Sequence, residues 1–272
     1  MTVLVSGIVA CAFYFASIAT HLRALHEGAT TQQRWLRIAI WLAVPALLAH
    51  LLSWSTAVFR AGGLDLGLFN AASLFFWVIA LVAWAASWRA PLANLLPVLY
   101  LLAIVSVLSA LFLHTGYAPR TAVGWGVGSH ILFSLLSYSI LGIAALQAVA
   151  LALLIHRLKH RRLHGLVAVM PPLQTMEDLL FRLIWTGELL LTLSIVTGAL
   201  FLEDIFAQHL AHKTVLSIVA WLLFAVLLLG RSRLGWRGIT AVKWTVAGFA
   251  LLILAYFGSK LVLELVLHRP AW

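Results

Sequence analysis

Long apolar runs alternate with short basic connections along the whole chain. A window of about 20 residues, the length of helix that crosses a ~30 Å hydrocarbon core, finds eight apolar spans. They lie near residues 3–20, 38–58, 69–88, 92–113, 127–155, 183–202, 214–230 and 244–264. Each is predicted as a transmembrane helix, because a segment in lipid has to satisfy its backbone hydrogen bonds internally. The third and fourth spans almost touch through Trp88-Arg89-Ala90-Pro91. The fifth is longer than a crossing needs and is expected to tilt or project. The pattern predicts an all-α polytopic membrane protein of eight transmembrane helices, one bundle over residues 1–272. It shows no internal repeat, no Gly-rich phosphate loop and no domain boundary. The first run has no basic stretch before it, so it is read as a retained helix rather than a cleaved signal peptide.

The connections set the expected orientation. Arg23, Arg34 and Arg37 lie in the first, Arg89 in the third, Arg157, Lys159, Arg161, Arg162 and Arg182 in the fifth, and Arg231, Arg233, Arg237 and Lys243 in the seventh. The even connections hold only Arg60, Arg120 and Lys213. Basic loops stay on the cytoplasmic side, so both termini are expected in the periplasm of a bacterial inner (plasma) membrane.

Composition supports the membrane assignment and narrows the chemistry. The chain of 272 residues is 64% hydrophobic and 10% charged, with mean hydropathy +1.06, far from the roughly 25% charged residues of soluble domains. The net charge of +10 is accounted for by the basic loops, so nucleic acid is not an expected partner; the lipid bilayer is. Cys11 is the single cysteine, which excludes an intrachain disulfide and Cys-based metal or redox motifs. Twelve tryptophans suggest aromatic anchoring at the bilayer interfaces.

The fifth connection, about residues 156–182, is the one long cytoplasmic loop expected, with its basic run against anionic head groups. His156, His160 and His164 share a helical face there, either as a metal comb or as surface histidines. Pro171-Pro172 ends the segment, and Thr175 with Asp178 forms a plausible capping box for the next helix.

Ionisable groups inside the apolar spans are costly and mark candidate function. His50 lies near mid-membrane in span two, either as a ligand facing the bundle interior or as a neutral imidazole bonded to a neighbouring helix. His130 opens span five, His114 and His212 lie at outer span ends, His209 adjoins them, and His268 follows span eight. Imidazoles gathered at one face without cysteines suit zinc, copper or haem iron, or simply the interface. Glu188 lies in span six. Lys260 and Glu264, four residues apart, are expected to pair structurally. No Ser-His-Asp arrangement, HExxH, Walker sequence or pair of catalytic carboxylates is present, and a non-enzymatic role is expected.

The segment HILFSLLSYSILGIAALQAVALALL resembles the H-x-x-x-x-x-L-S-Y segment of the CcsA/CcmC-type cytochrome c assembly protein family. The C-terminal segment, from LSIVAW through GWRG to AYFG, resembles the matching part of that family. MPPLQTME and LSIVAW are similar to its YpjD-like inner-membrane subgroup. The resemblance covers essentially the whole chain and implies haem handling. By it, His130 would be the first external haem ligand, His50 the first within the membrane and His268 the second external one; His212, at an outer span end, is a further candidate for cofactor binding. The family's tryptophan-rich WGxxWxWD loop is replaced by FLEDIFAQHLAHKT, and Gly-Arg-Ser-Arg stands where the family often has a histidine after span seven. Two functions therefore stand as expectations. The first is a haem-binding membrane factor for cytochrome c assembly, with other cytochrome-maturation proteins as partners. The second is a haem-free scaffold or accessory subunit of a metal transporter.

Overall fold

The structure, a computed structural model, describes residues 1–25, 27, 29–60, 63–65, 67–113, 124–160, 170–201 and 211–266. Its helices are α1 (Thr2–Ala24), α2 (Ala29–Val58), α3 (Leu68–Ser87), α4 (Leu96–Phe112), α5 (Trp125–Lys159), α6 (Leu173–Phe201), α7 (Ala211–Leu234) and α8 (Ile239–Ile253). The last helix continues to Val266 through two stretches of π-helical turns, Leu254–Gly258 and Val262–Val266. A two-residue hairpin, Phe59–Arg60 with Gly63–Leu64, follows α2.

Seven of these helices, the last counted over Ile239–Leu265, are long and apolar enough to cross a membrane. The expected eighth, 92–113, is shorter. α4 has 17 residues, about 25 Å at 1.5 Å per residue. Residues 93–95 are turn rather than helix, and Pro97 sits in the first turn of α4, where its missing N–H costs nothing.

Most other helices outrun their hydropathy windows. α2 starts at Ala29, not 38, and α6 starts at Leu173, not 183. The added turns, such as TTQQRWLR and LQTMEDLLFR, are polar good helix formers, invisible to a search for apolar residues. The long fifth connection shrinks accordingly, because α5 continues to Lys159 and α6 begins just after Pro172. Thr175 thus lies inside the helix and does not cap it.

The contacts fall into two units, Met1–Ala122 with Lys260–Ala271, and Val123–Ser259. In the first, α1 packs on α2 and α4, and α3 on α2 and α4. Gly7 permits the close approach of α1, since a Cβ there would lie 2.7 Å from Leu111. Indole N–H groups join helices: Trp77 and Trp84 of α3 donate to the Leu47 and Ile40 carbonyls of α2 at 2.9 and 3.0 Å. These tryptophans tie helix to helix, while Trp41, Trp88, Trp125 and Trp185 are exposed in the manner of interface anchors.

The expected pair forms, with Lys260 Nζ 3.5 Å from Glu264 Oε1. Glu264 Oε2 also accepts from the Leu68 backbone N–H at 2.7 Å. The carboxylate therefore caps the N-terminus of α3, where the helix dipole favours negative charge.

In the second unit α5 packs on α6 and α8, and α7 on α6 and α8. Gly187 and Gly248 allow close crossings, facing Leu141 and Phe224 respectively. The GWRG turn between α7 and α8 holds Gly235 at φ 67° and Gly238 at φ 58°, conformations that L side chains rarely adopt. The Gly238 N–H donates to Glu177 Oε1 of α6 at 2.7 Å, which caps α8. Gly238→Ala is expected to cost about 1–2 kcal/mol through strain at this position, read as a lower midpoint of thermal unfolding in detergent.

Candidate functional site

Several polar groups lie inside the units among apolar side chains, while many large apolar side chains face outward. Ser17, His21, His50, Ser73, Ser106, Ser137, Ser139 and Glu188 are buried, whereas Leu4, Ile8, Phe15, Leu48 and Leu52 are exposed. Lipid solvates the exposed apolar side chains, and buried hydroxyl and imidazole groups must find partners in neighbouring helices.

His50 is completely buried in the first unit. Its Nδ1 lies 3.3 Å from the Tyr14 hydroxyl of α1 and its Nε2 3.0 Å from the Ser73 hydroxyl of α3. Both ring nitrogens are thus engaged, and the imidazole joins three helices. The Tyr14 ring packs edge-on to His50 and lies 5.2 Å from Tyr100 of α4. His21 continues this aromatic column, its ring 6.5 Å from that of Tyr100. His21 Nδ1 donates to the Ser17 carbonyl at 2.9 Å. His21 Nε2 and the Tyr100 hydroxyl are buried without a hydrogen-bond partner among the described residues. Tyr14, Ser73, Tyr100 and His21 were not legible as site residues, because serine and tyrosine in an apolar run carry no periodic signal. His21 lies in the last turn of α1, so its position along the chain gave no cue either.

His130, in the second unit, is arranged differently. It occupies the second turn of α5, and its Nδ1 lies 2.8 Å from the Ser194 carbonyl of α6. A carbonyl only accepts, so Nδ1 carries the proton and, in the neutral ring, Nε2 bears the lone pair. The nearest hydroxyl to Nε2 is that of Ser134, at 3.5 Å. Ser134 has one proton and two closer partners: it donates to the His130 carbonyl at 2.7 Å and accepts from Ser194 Oγ at 2.6 Å. Among the described residues Nε2 is therefore left without a hydroxyl closer than 3.5 Å, an undonated base on a half-buried ring whose orientation is fixed through Nδ1. That is the arrangement in which histidine ligates metals.

The serines and tyrosine after His130 make the helix-to-helix contacts their positions suggested. Ser137 Oγ donates to the Gly187 carbonyl at 2.9 Å, and the Tyr138 hydroxyl meets Ser217 of α7 at 3.3 Å. Ser139 instead donates within its own helix, to the Leu135 carbonyl.

His212 is exposed at the start of α7. His268, with His114, His164 and His209, lies outside the described residues. His156 and His160 are exposed with rings 4.5 Å apart, and among the described residues no three His, Cys, Asp or Glu side chains converge as a metal site would require. Both Glu188 carboxyl oxygens are buried and lack a hydrogen-bond partner among the described residues.

A family model described as "Cytochrome C assembly protein" matches residues 38–267. The chain is 38% identical over 234 residues to the "Inner membrane protein YpjD" of Escherichia coli (strain K12), covering 85% of this chain and 89% of that protein. It is 30% identical over 101 residues to the "Cytochrome c biogenesis protein CcsA" of Prochlorococcus marinus (strain NATL1A), covering 36% of this chain and 32% of that one. No solved structure matches. With the apolar helices, the first of these relatives makes this a multi-pass protein of the bacterial inner membrane.

Proposed function

This chain belongs to the cytochrome c assembly protein family, and on that premise we propose that it binds haem in the membrane through histidine and acts as a haem-handling assembly factor without bond-making residues of its own. The observation that carries this reading is the Nε2 of His130, undonated among the described residues, on a ring oriented by the Ser194 carbonyl. Haem, when bound, would supply a redox-active iron that neutral imidazole can ligate. In this chain His130 would provide one such imidazole, and the α5–α6 pair would hold its ring plane and shield it from water. His50 fits less directly. One of its two hydroxyl bonds has to open before a ring nitrogen can reach iron, and the Ser73 bond on Nε2 is the candidate. His212 and His268 complete the candidate set. The excess of Lys and Arg in the odd connections supports placing both termini, and the His130 end of α5, on the periplasmic side.

The test is an absorption spectrum. Protein purified in detergent after haem supplementation is expected to show a Soret band at about one haem per chain, and a spectrum without it defeats the proposal.

A second reading, a haem-free scaffold or accessory subunit of a metal transporter, is favoured by FLEDIFAQHLAHKT in place of a tryptophan-rich loop and by the doubly bonded His50. It predicts no stoichiometric haem and a co-purifying membrane partner.

A further inference from the structure

Between α6 and α7 lies a surface cavity of about 770 Å³, lined by Asp178, Phe181, Arg182, Trp185, Thr186 and Arg231. Its level in the bilayer follows from the two helices. Arg182 is the last charged residue before the apolar stretch of α6 from Leu183 onward, apart from the buried Glu188, and Arg231 ends the apolar stretch of α7. The cavity therefore sits where hydrocarbon gives way to head groups. Trp185, 64% exposed, has the size and amphipathic character of a residue at that boundary.

Charge in the cavity is unbalanced. Two guanidiniums face one carboxylate, and the Asp178 Oδ1 to Arg231 Nη2 distance of 3.7 Å is too long for a strong bond. Arg231 stacks over the Phe181 ring, 4.7 Å from guanidinium carbon to ring centroid, which fixes its plane. Its Nη1 is buried with no hydrogen-bond partner among the described residues. Two arginines against one carboxylate, one of them held over the Phe181 ring, and an amphipathic ring at the hydrocarbon edge together suit a tetrahedral oxyanion attached to an apolar tail. The first unit offers a smaller cavity of about 510 Å³ with Arg34, Arg37 and Trp41, but its walls come from α2 alone, and no stacked guanidinium lines it.

We propose that the α6–α7 cavity binds the phosphate of an anionic membrane lipid, with Arg182 and Arg231 on the phosphate and Trp185 against the glycerol and upper acyl region. Asp178 competes with the phosphate for Arg231 and limits its affinity.

The experiment is native mass spectrometry of the full chain from detergent exchanged with phosphatidylglycerol or phosphatidylcholine, followed by titration of inorganic phosphate into delipidated protein. Wild type is expected to retain phosphatidylglycerol over phosphatidylcholine. Each of Arg182→Gln and Arg231→Gln should lower retention about fivefold, as expected for one basic side chain at a head group. Asp178→Asn should raise it, a gain that misfolding does not produce. Arg89→Gln, in the turn between α3 and α4, should leave it unchanged. Phosphate binding abolished by Arg182→Gln/Arg231→Gln, without retained phosphatidylglycerol, would overturn the lipid assignment and give the site a soluble phosphate instead. Equal retention of the two lipids without such phosphate binding, or equal losses in Arg89→Gln and Arg231→Gln, would overturn the site.

Discussion

His130→Ala is expected to remove the Soret absorbance of the haem-loaded protein, while Ser73→Ala is expected to change the spectrum only if His50 reaches iron. Disturbing a hydrogen-bonded partner of a metal-ligating histidine costs 10–100-fold in affinity, so loss of the imidazole itself should weaken haem binding by about 100-fold or more. The two histidines separate cleanly. His130 has its Nδ1 on an acceptor and an undonated Nε2, so alanine there deletes a prepared ligand. His50 has a hydroxyl on each nitrogen, so Ser73→Ala frees Nε2 and should increase any haem bound there. Full haem retention in His130→Ala, measured as the ratio of Soret to protein absorbance, sinks the ligand assignment. A spectrum unmoved by both His50→Ala and Ser73→Ala would leave His50 as the hydrogen-bond node of α1, α2 and α3.

The second large effect concerns stability. Lys260→Met is expected to cost about 3 kcal/mol, because it leaves Glu264 charged and without its counter-ion in a buried place. The side chains of the pair are 7% and 1% exposed, so water cannot take over the role of the lost ammonium. Lys260→Met/Glu264→Leu is expected to cost less than the single change. It removes the stranded charge and forfeits mainly the bond to the Leu68 N–H, worth about 1.5–3 kcal/mol for a charged acceptor. Unfolding in mixed micelles with increasing denaturing detergent compares the two variants. A double variant weaker than Lys260→Met would show that the carboxylate stabilises the fold through α3 alone, without its lysine.

Several residues that carry the family resemblance make contacts between helices. Glu177 of MPPLQTME caps α8 through Gly238 of GWRG. In the same motif the Met176 carbonyl accepts from Gln147 Nε2 at 3.1 Å. Ser217 and Trp221 of LSIVAW meet Tyr138 of the LSY segment and Thr192 respectively. Except for Thr192, each of these partners lies in another of the motifs. A resemblance read from them therefore reports the shape of the second unit more directly than it reports chemistry.

Sequence alone determined that the chain is a membrane protein, where its apolar spans lie, and that its basic residues gather in alternate connections. These are properties of short windows, since transfer into lipid is summed over about 20 neighbouring residues. Helix ends escaped that sum, as the polar first turns of α2 and α6 show, because helix formation there does not depend on hydropathy. The tertiary structure decided which buried polar groups are satisfied and which stay free. His50 meets partners 36 and 23 positions away, and Glu264 caps a helix 196 positions away. Two histidines in equally apolar sequence thus have different chemistry, one bonded on both nitrogens and one with a nitrogen to offer. That difference lies in the directions of hydrogen bonds, which no residue's immediate neighbours along the chain determine.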